Sequence, residues 1–196
     1  MGTPITDDLP PKVLARSEHR ISRSNLSPEA LKVLYRLHRS GYAAYLVGGS
    51  VRDLLLGNQP KDFDVATNAR PQEIRSLFRN SRVIGRRFRL VHVYFRGGIV
   101  EVATFRASPD PPESPQDWEE AVAEEAEANA AVENPRPAAE DVVYGTPAED
   151  ARRRDFTVNA LYYNIEDFSV VDYVGGLDDL EQGCLRLIGD PEQRYR

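Results

Sequence analysis

The stretch that most constrains this chain is Leu46-Val47-Gly48-Gly49-Ser50-Val51-Arg52-Asp53-Leu54-Leu55-Leu56. An apolar run stops at two glycines, then resumes as a helical pattern that Gly57 closes. Glycine at a strand-to-helix turn lets the backbone approach a ligand closely and aims helix N-terminal N–H groups at an anion. Ser50 adds a hydroxyl donor there, and Arg52 a guanidinium suited to phosphate. An ordinary tight turn would account for Gly48-Gly49 alone. About 13 residues further on, however, stand Asp62 and Asp64. In a strand over residues 62–65 both carboxylates share one face, and Phe63 takes the opposite, buried side. Two such charges repel unless a cation neutralises them. Mg²⁺, a hard ion that keeps positions free for phosphate oxygens, is the common solution. Asp-x-Asp by itself also occurs as a solvated surface pair, so the order and spacing of the two elements carry the inference.

Around this centre the pattern predicts alternating helices and strands. Ser27 reads as an N-cap, Pro28 as the first helical residue and Glu29 as first-turn acid, with Gly41 as the stop. Strands are expected at residues 43–47 and 62–65, and helices at 51–56 and 71–78. Residues 89–95 and 99–105 flank Gly97-Gly98, a hairpin signal. Residues 148–159 have a helical pattern, followed by strands at 161–165 and 169–172. Residues 1–24 read as an extended lead-in to a domain spanning 25–196. Strands joined by hairpins with helices set around them indicate an α+β fold.

Three further groups bear on chemistry. In Ile99-Val100-Glu101-Val102-Ala103 the valines share one face, which leaves Glu101 on the other. If this strand lies beside the Asp62–Asp64 strand, Glu101 supplies a third oxygen donor; a surface-facing glutamate is the alternative. In Arg152-Arg153-Arg154-Asp155-Phe156-Thr157-Val158-Asn159, a helix would put Asp155 and Asn159 one turn apart on one face. The preceding arginines could then reach a triphosphate, or form a solvated basic helix end. His92 reads as a sheet histidine rather than a base.

The net charge of −6 is unevenly spread. Residues 107–150 hold 13 acidic side chains, seven prolines and one basic residue, Arg136; the rest of the chain has 24 basic and 18 acidic residues, a balance of +6. The segment at about 107–147 reads as a mobile acidic insertion, its 118–132 part capable of a transient helix. The mildly basic body leaves a polyanionic partner open. No apolar run approaches the ~20 residues that span a bilayer, and residues 1–8 lack the pattern of a secretory signal. The single Cys184 fits a reducing cytoplasm.

Together, Gly48-Gly49-Ser50-Val51-Arg52-Asp53, Lys61-Asp62-Phe63-Asp64 and Arg153-Arg154-Asp155-Phe156-Thr157-Val158-Asn159 resemble the head of the class II polynucleotide nucleotidyltransferases. That group contains bacterial poly(A) polymerases and CCA-adding tRNA nucleotidyltransferases. Residues 83–93 and 18–23 resemble the poly(A) polymerase branch. The resemblance implies a nucleotidyltransferase fold of the DNA polymerase β superfamily, with a mixed, mostly antiparallel sheet flanked by helices. It implies Asp62, Asp64 and Glu101 as ligands of two Mg²⁺ ions, and Asp155 as an essential group. Gly48, Gly49, Ser50, Arg52, Arg154 and Asn159 would bind the nucleotide. The implied reaction is template-independent transfer of AMP from ATP to RNA 3′-ends with release of pyrophosphate. CCA addition to tRNA, or a non-catalytic nucleotide-binding and RNA-binding module, are the alternatives. The implied partners are the RNA 3′-end and RNA-decay machinery. Ser50 departs from the small residue usual at its position. The family's base-reading Glu-Asp-x-x-Arg helix and RNA-binding domains would follow after Arg196.

Overall fold

The computed structural model describes residues 10–85, 90–107 and 143–189. The acidic segment expected to be mobile falls mainly on residues 108–142, outside the described residues. Its two described ends are joined: Ala107 N–H donates to Val143 O, Gly145 N–H donates to Phe105 O, and Arg106 bridges Tyr144.

Eight described strands form one sheet: β1 (Lys12–Leu14), β2 (Ala44–Val47), β3 (Asp64–Thr67), β4 (Ser81–Ile84), β5 (Leu90–Phe95), β6 (Gly98–Thr104), β7 (Leu161–Asn164) and β8 (Val170–Asp172). Their order is β1-β8-β7-β2-β3-β6-β5-β4. All neighbours run antiparallel except β3 and β6, which are parallel. The described α-helices are α1 (Pro28–Arg39), α2 (Gly49–Leu56), α3 (Pro71–Leu77), α4 (Pro147–Arg152) and α5 (Gly176–Gln182). This is the α+β arrangement expected, a mixed and mostly antiparallel sheet with flanking helices.

Local chemistry explains most elements. The Ser27 hydroxyl accepts from Ala30 N–H and Pro28 opens α1, whose Ala30, Val33, Leu34 and Leu37 are buried. The β5–β6 hairpin forms as expected, with its turn at Arg96-Gly97 and Gly98 already paired to Phe95.

The period-2 alternation of the strands divides the buried residues between two clusters. Leu46, Val65, Val100, Val102, Leu161, Tyr163 and Val170 pack with α1 in the larger one. Val47, Ala66, Tyr162 and Val171 join Phe105, Ala151, Ala160 and Ile188 in the smaller one. Asp64 shares strand parity with Ala66, and Glu101 has the parity opposite to Val100 and Val102. Both carboxylates therefore project from the sheet face turned away from α1.

Residues 10–24 differ from the expected extended lead-in. Lys12–Leu14 pairs with β8, two 3₁₀ turns follow, and Ile21 is fully buried in the larger cluster. Such tertiary pairing leaves little local trace in so short a segment.

Candidate active site

The site is built from the turn between β2 and α2, the ends of β3 and β6, and the segment after α4. At the turn Gly48 has φ 76° and ψ −151°, a backbone conformation open essentially to glycine. A Cβ there would lie 3.6 Å from Asp64 Oδ2 and 3.7 Å from Arg154 Nη1. A Cβ on Gly49 would lie 3.4 Å from Arg52 Nη2. The two glycines thus keep open the space between a carboxylate and two guanidiniums.

The expected carboxylate geometry is largely found. Glu101 on β6 is the register partner of Asp64 on β3, so the third acid does stand beside the aspartate strand. Phe63 is buried while Asp62 and Asp64 are exposed, which is the alternation anticipated. One boundary differs: β3 begins at Asp64, and Asp62 precedes the ladder. Burial of its carboxylate raises Asp64 above the usual range; Glu101 and Asp62 add to this, and Arg154 opposes it. Asp64 as a whole residue is nonetheless exposed, so its carboxylate is not part of the core. Glu101 behaves oppositely. His92 on β5 faces it in register, with Nε2 3.3 Å from Glu101 Oε1, and this hydrogen bond holds the Glu101 carboxyl below its usual range against partial burial. His92 was expected only as a sheet residue, because its partner is set by register and not by its neighbours in sequence.

The arginines are held differently. Arg52 donates from Nε and Nη2 to Asp53 Oδ1, and from Nη1 to Asn159 Oδ1 at 2.7 Å. Two expected nucleotide-binding residues, Arg52 and Asn159, are therefore in direct contact. Ser50, expected to offer its hydroxyl to the nucleotide, is buried, and that hydroxyl donates to Val47 O at 2.8 Å, closing the turn from within.

The helix expected over 148–159 is also corrected. α4 ends at Arg152, and Asp155 and Asn159 do not share a helical face. After α4 the backbone turns to pair with residues 186–188: Ile188 N–H donates to Asp155 O, Thr157 N–H donates to Arg186 O, and Phe156 bridges Leu187. Thr157 Oγ1 donates to the buried Asp179, which also takes Arg186. These bonds hold Phe156 extended, and a 3₁₀ turn follows at Thr157–Asn159, where the sequence pattern alone favours one continuous helix. Asp155 is exposed, and its Oδ1 accepts from Phe156 N–H.

The acid that organises this segment is Asp150, which by its place in the chain counts with the acidic residues of 107–150. It is completely buried. Its Oδ1 accepts from Arg106 N–H and Arg153 Nε, and its Oδ2 from Arg154 Nη2 and the Tyr162 hydroxyl. Burial opposes its charge, but Arg154 and Arg153 outweigh that and hold the carboxyl below its usual range. The spacing Asp150-x-x-Arg153-Arg154, with an acid three and four residues before two arginines on a helix, was the available signal.

The donors at Asp62, Asp64 and Glu101 are all carboxylate oxygens, the chemistry that Mg²⁺ takes. Burial raises Asp64 most, and the repulsion from Glu101 and Asp62 that adds to it is what a cation relieves. Among the described residues, no three His, Cys, Asp or Glu side chains are already gathered as a closed metal-holding group. A site completed by phosphate and water oxygens does not require one. Nor is any described helix long and apolar enough to cross a membrane.

Residues 44–186 match the family described as the Poly A polymerase head domain. The chain is 53% identical over 184 residues to poly(A) polymerase I of Salmonella typhi, which covers 94% of this chain and 37% of that protein. It is 37% identical over 166 residues to the CCA-adding enzyme of Lactobacillus gasseri, covering 85% of this chain and 36% of that protein. Among solved structures, the Bacillus stearothermophilus CCA-adding enzyme in complex with CTP matches with a TM-score of 0.64 at 30% identity, covering 87% of this chain and 36% of that one. The chain thus spans little more than a third of the length of the relatives it matches. With its glycine turn, paired carboxylate strands and arginine segment in place, this chain belongs to the poly(A) polymerase head-domain family.

Proposed function

We propose that the chain is the catalytic head of an RNA polyadenylating enzyme, which transfers AMP from ATP to an RNA 3′-end. The observation that carries this reading is the register of Asp64 with Glu101 beside a glycine turn faced by Arg154. The higher identity to a poly(A) polymerase than to a CCA-adding enzyme, 53% against 37%, favours AMP transfer over CCA addition.

In the reaction the RNA 3′-oxygen attacks the α-phosphorus of ATP. A new P–O bond forms, the α–β bridging bond breaks, and pyrophosphate leaves. Gly48 and Gly49 leave room for the triphosphate, and Arg154 presents Nη1 to that space. Arg52, braced by Asp53 and Asn159, lies against Gly49. Asp64, Glu101 and Asp62 are the residues that would hold two Mg²⁺ ions, with His92 orienting Glu101. When bound, such ions supply positive charge that activates the attacking hydroxyl and stabilises the departing pyrophosphate. The chain's share of catalysis is positioning and charge placement. An RNA partner, contact with RNA-decay machinery and a cytoplasmic setting belong to the same proposal.

The test is incorporation by the full-length protein of each of the four nucleotides, on a generic RNA and on tRNA lacking its CCA end. Mg²⁺-dependent addition of AMP to both RNAs supports the reading. Ordered addition of CMP and then AMP to tRNA alone would replace it.

A further inference from the structure

The geometry points to Tyr162 and Asp150 as positioning residues that set the aim of Arg154 toward the triphosphate. The inference rests on the reading of Arg154 as a phosphate ligand. The guanidinium has three nitrogens, and the structure uses them unequally. Nε donates to the Tyr162 hydroxyl at 3.1 Å, and Nη2 donates to Asp150 Oδ2 at 3.3 Å. Of the three, Nη1 is the one that comes within 4 Å of where a Cβ on Gly48 would lie, at 3.7 Å, a position that Asp64 Oδ2 approaches to 3.6 Å. The guanidinium carbon also lies 5.4 Å from the centroid of the Tyr162 ring, which fixes the plane as well as the edge. An arginine bound along one edge and packed against a ring keeps few rotamers, so its remaining edge arrives pre-aimed.

The support beneath Arg154 is itself closed. The Tyr162 hydroxyl donates to Asp150 Oδ2 at 2.8 Å while accepting from Arg154, so tyrosine, aspartate and arginine form a ring of hydrogen bonds. Burial pushes the Tyr162 phenol up, which keeps it a donor to Asp150. Tyr162 is fully buried, and edge contacts from Tyr45 and Tyr173 hold its ring. Asp150 in turn is fixed by Arg106 N–H and Arg153, so neither member of the support can rotate away. Neither Tyr162 nor Asp150 needs to touch the nucleotide. Their effect passes through one guanidinium.

That dependence is testable with a double-mutant cycle. ATP and inorganic triphosphate are titrated into the wild-type protein, Tyr162→Phe, Arg154→Ala and the double variant, with Mg²⁺ present. Melting curves of each without nucleotide show that it folds. The expected result is a several-fold weaker affinity in Tyr162→Phe, a larger loss in Arg154→Ala, and no further loss when Tyr162→Phe is added to Arg154→Ala. A residue with only a structural role would weaken binding by the same factor in both backgrounds, and that outcome overturns the inference. So does wild-type affinity in Tyr162→Phe while Arg154→Ala binds poorly, a result that leaves the phosphate role of Arg154 standing. Unchanged affinity in Arg154→Ala would instead remove the reading of Arg154 itself, and the inference with it. Asp150→Asn runs in parallel with the same expected cycle. Because its buried charge supports two arginines, Tyr162→Phe alone decides the matter if that variant does not fold.

Discussion

Asp64 and Glu101 are direct partners across the parallel β3–β6 ladder, yet their carboxyls are displaced in opposite directions. Burial and its acidic neighbours raise Asp64, whereas the His92 hydrogen bond lowers Glu101. One acid is thus held ready in its charged form, and the other carries the repulsion of the group. A cation added there would discharge that repulsion, so ligand binding and charge relief are coupled at one spot.

Asp64→Ala should therefore abolish AMP transfer by the full-length enzyme while leaving the metal-free fold as stable as wild type, or slightly more so. Removing a charge that its surroundings disfavour relieves repulsion and breaks no core contact. Single-turnover incorporation and a melting curve in chelator check both halves. Normal turnover with Mg²⁺ present would sink the assignment.

Gly48→Ala should damage both stability and nucleotide binding. The backbone at φ 76°, ψ −151° is strained for any residue with a Cβ, which costs about 1–3 kcal/mol. The added methyl would also stand between Asp64 and Arg154. Denaturant unfolding and ATP titration should show both losses. Gly41 provides the contrast: it has φ 85° but nothing within 4 Å of its Cβ position, so Gly41→Ala should cost stability alone.

Ser50→Ala should lower stability by about 1 kcal/mol, the usual net worth of one hydrogen bond, and leave ATP affinity unchanged. The hydroxyl is committed to Val47 O and closes the turn from within. A clear loss of affinity in a variant that melts normally would show that the hydroxyl reaches the nucleotide after all.

Asp150 should contribute to acid unfolding. Its folded pKa is depressed, so its contribution is complete above the unfolded value of about 3.9 and is lost as pH falls through the lower folded value. Asp150→Asn should be less stable than wild type near neutrality, and the difference should shrink below about pH 4. Urea midpoints of the two proteins from pH 3 to 7 give the comparison. A gap that stays constant across that range would mean the carboxylate's charge is not what matters.

The elements whose causes lie within a few residues are legible in the order of the amino acids. Ser27-Pro28 starts α1, Gly48-Gly49 turns β2 into α2, Phe63 alternates with Asp62 and Asp64, and the Gly97 region turns the hairpin, because capping, backbone sterics and period-2 alternation are short-range effects. The parity of Val100 and Val102 likewise put Glu101 on the far face before any neighbour was known. Which strands became neighbours, and with them the partners of the chemical groups, was settled by folding. The pairing of His92 with Glu101 depends on the β5–β6 register, and that of Arg52 with Asn159 joins residues 107 apart in sequence. The helical pattern over 148–159 lost to hydrogen bonds with residues 186–188, which local propensity cannot register. Asp150 looked like one more charge of an acidic segment until folding placed it beneath two arginines and a tyrosine. Such a burial is favourable only when every partner arrives together: residues 150, 153 and 154 meet through helical spacing, but only folding brings Tyr162 and the Arg106 N–H to them.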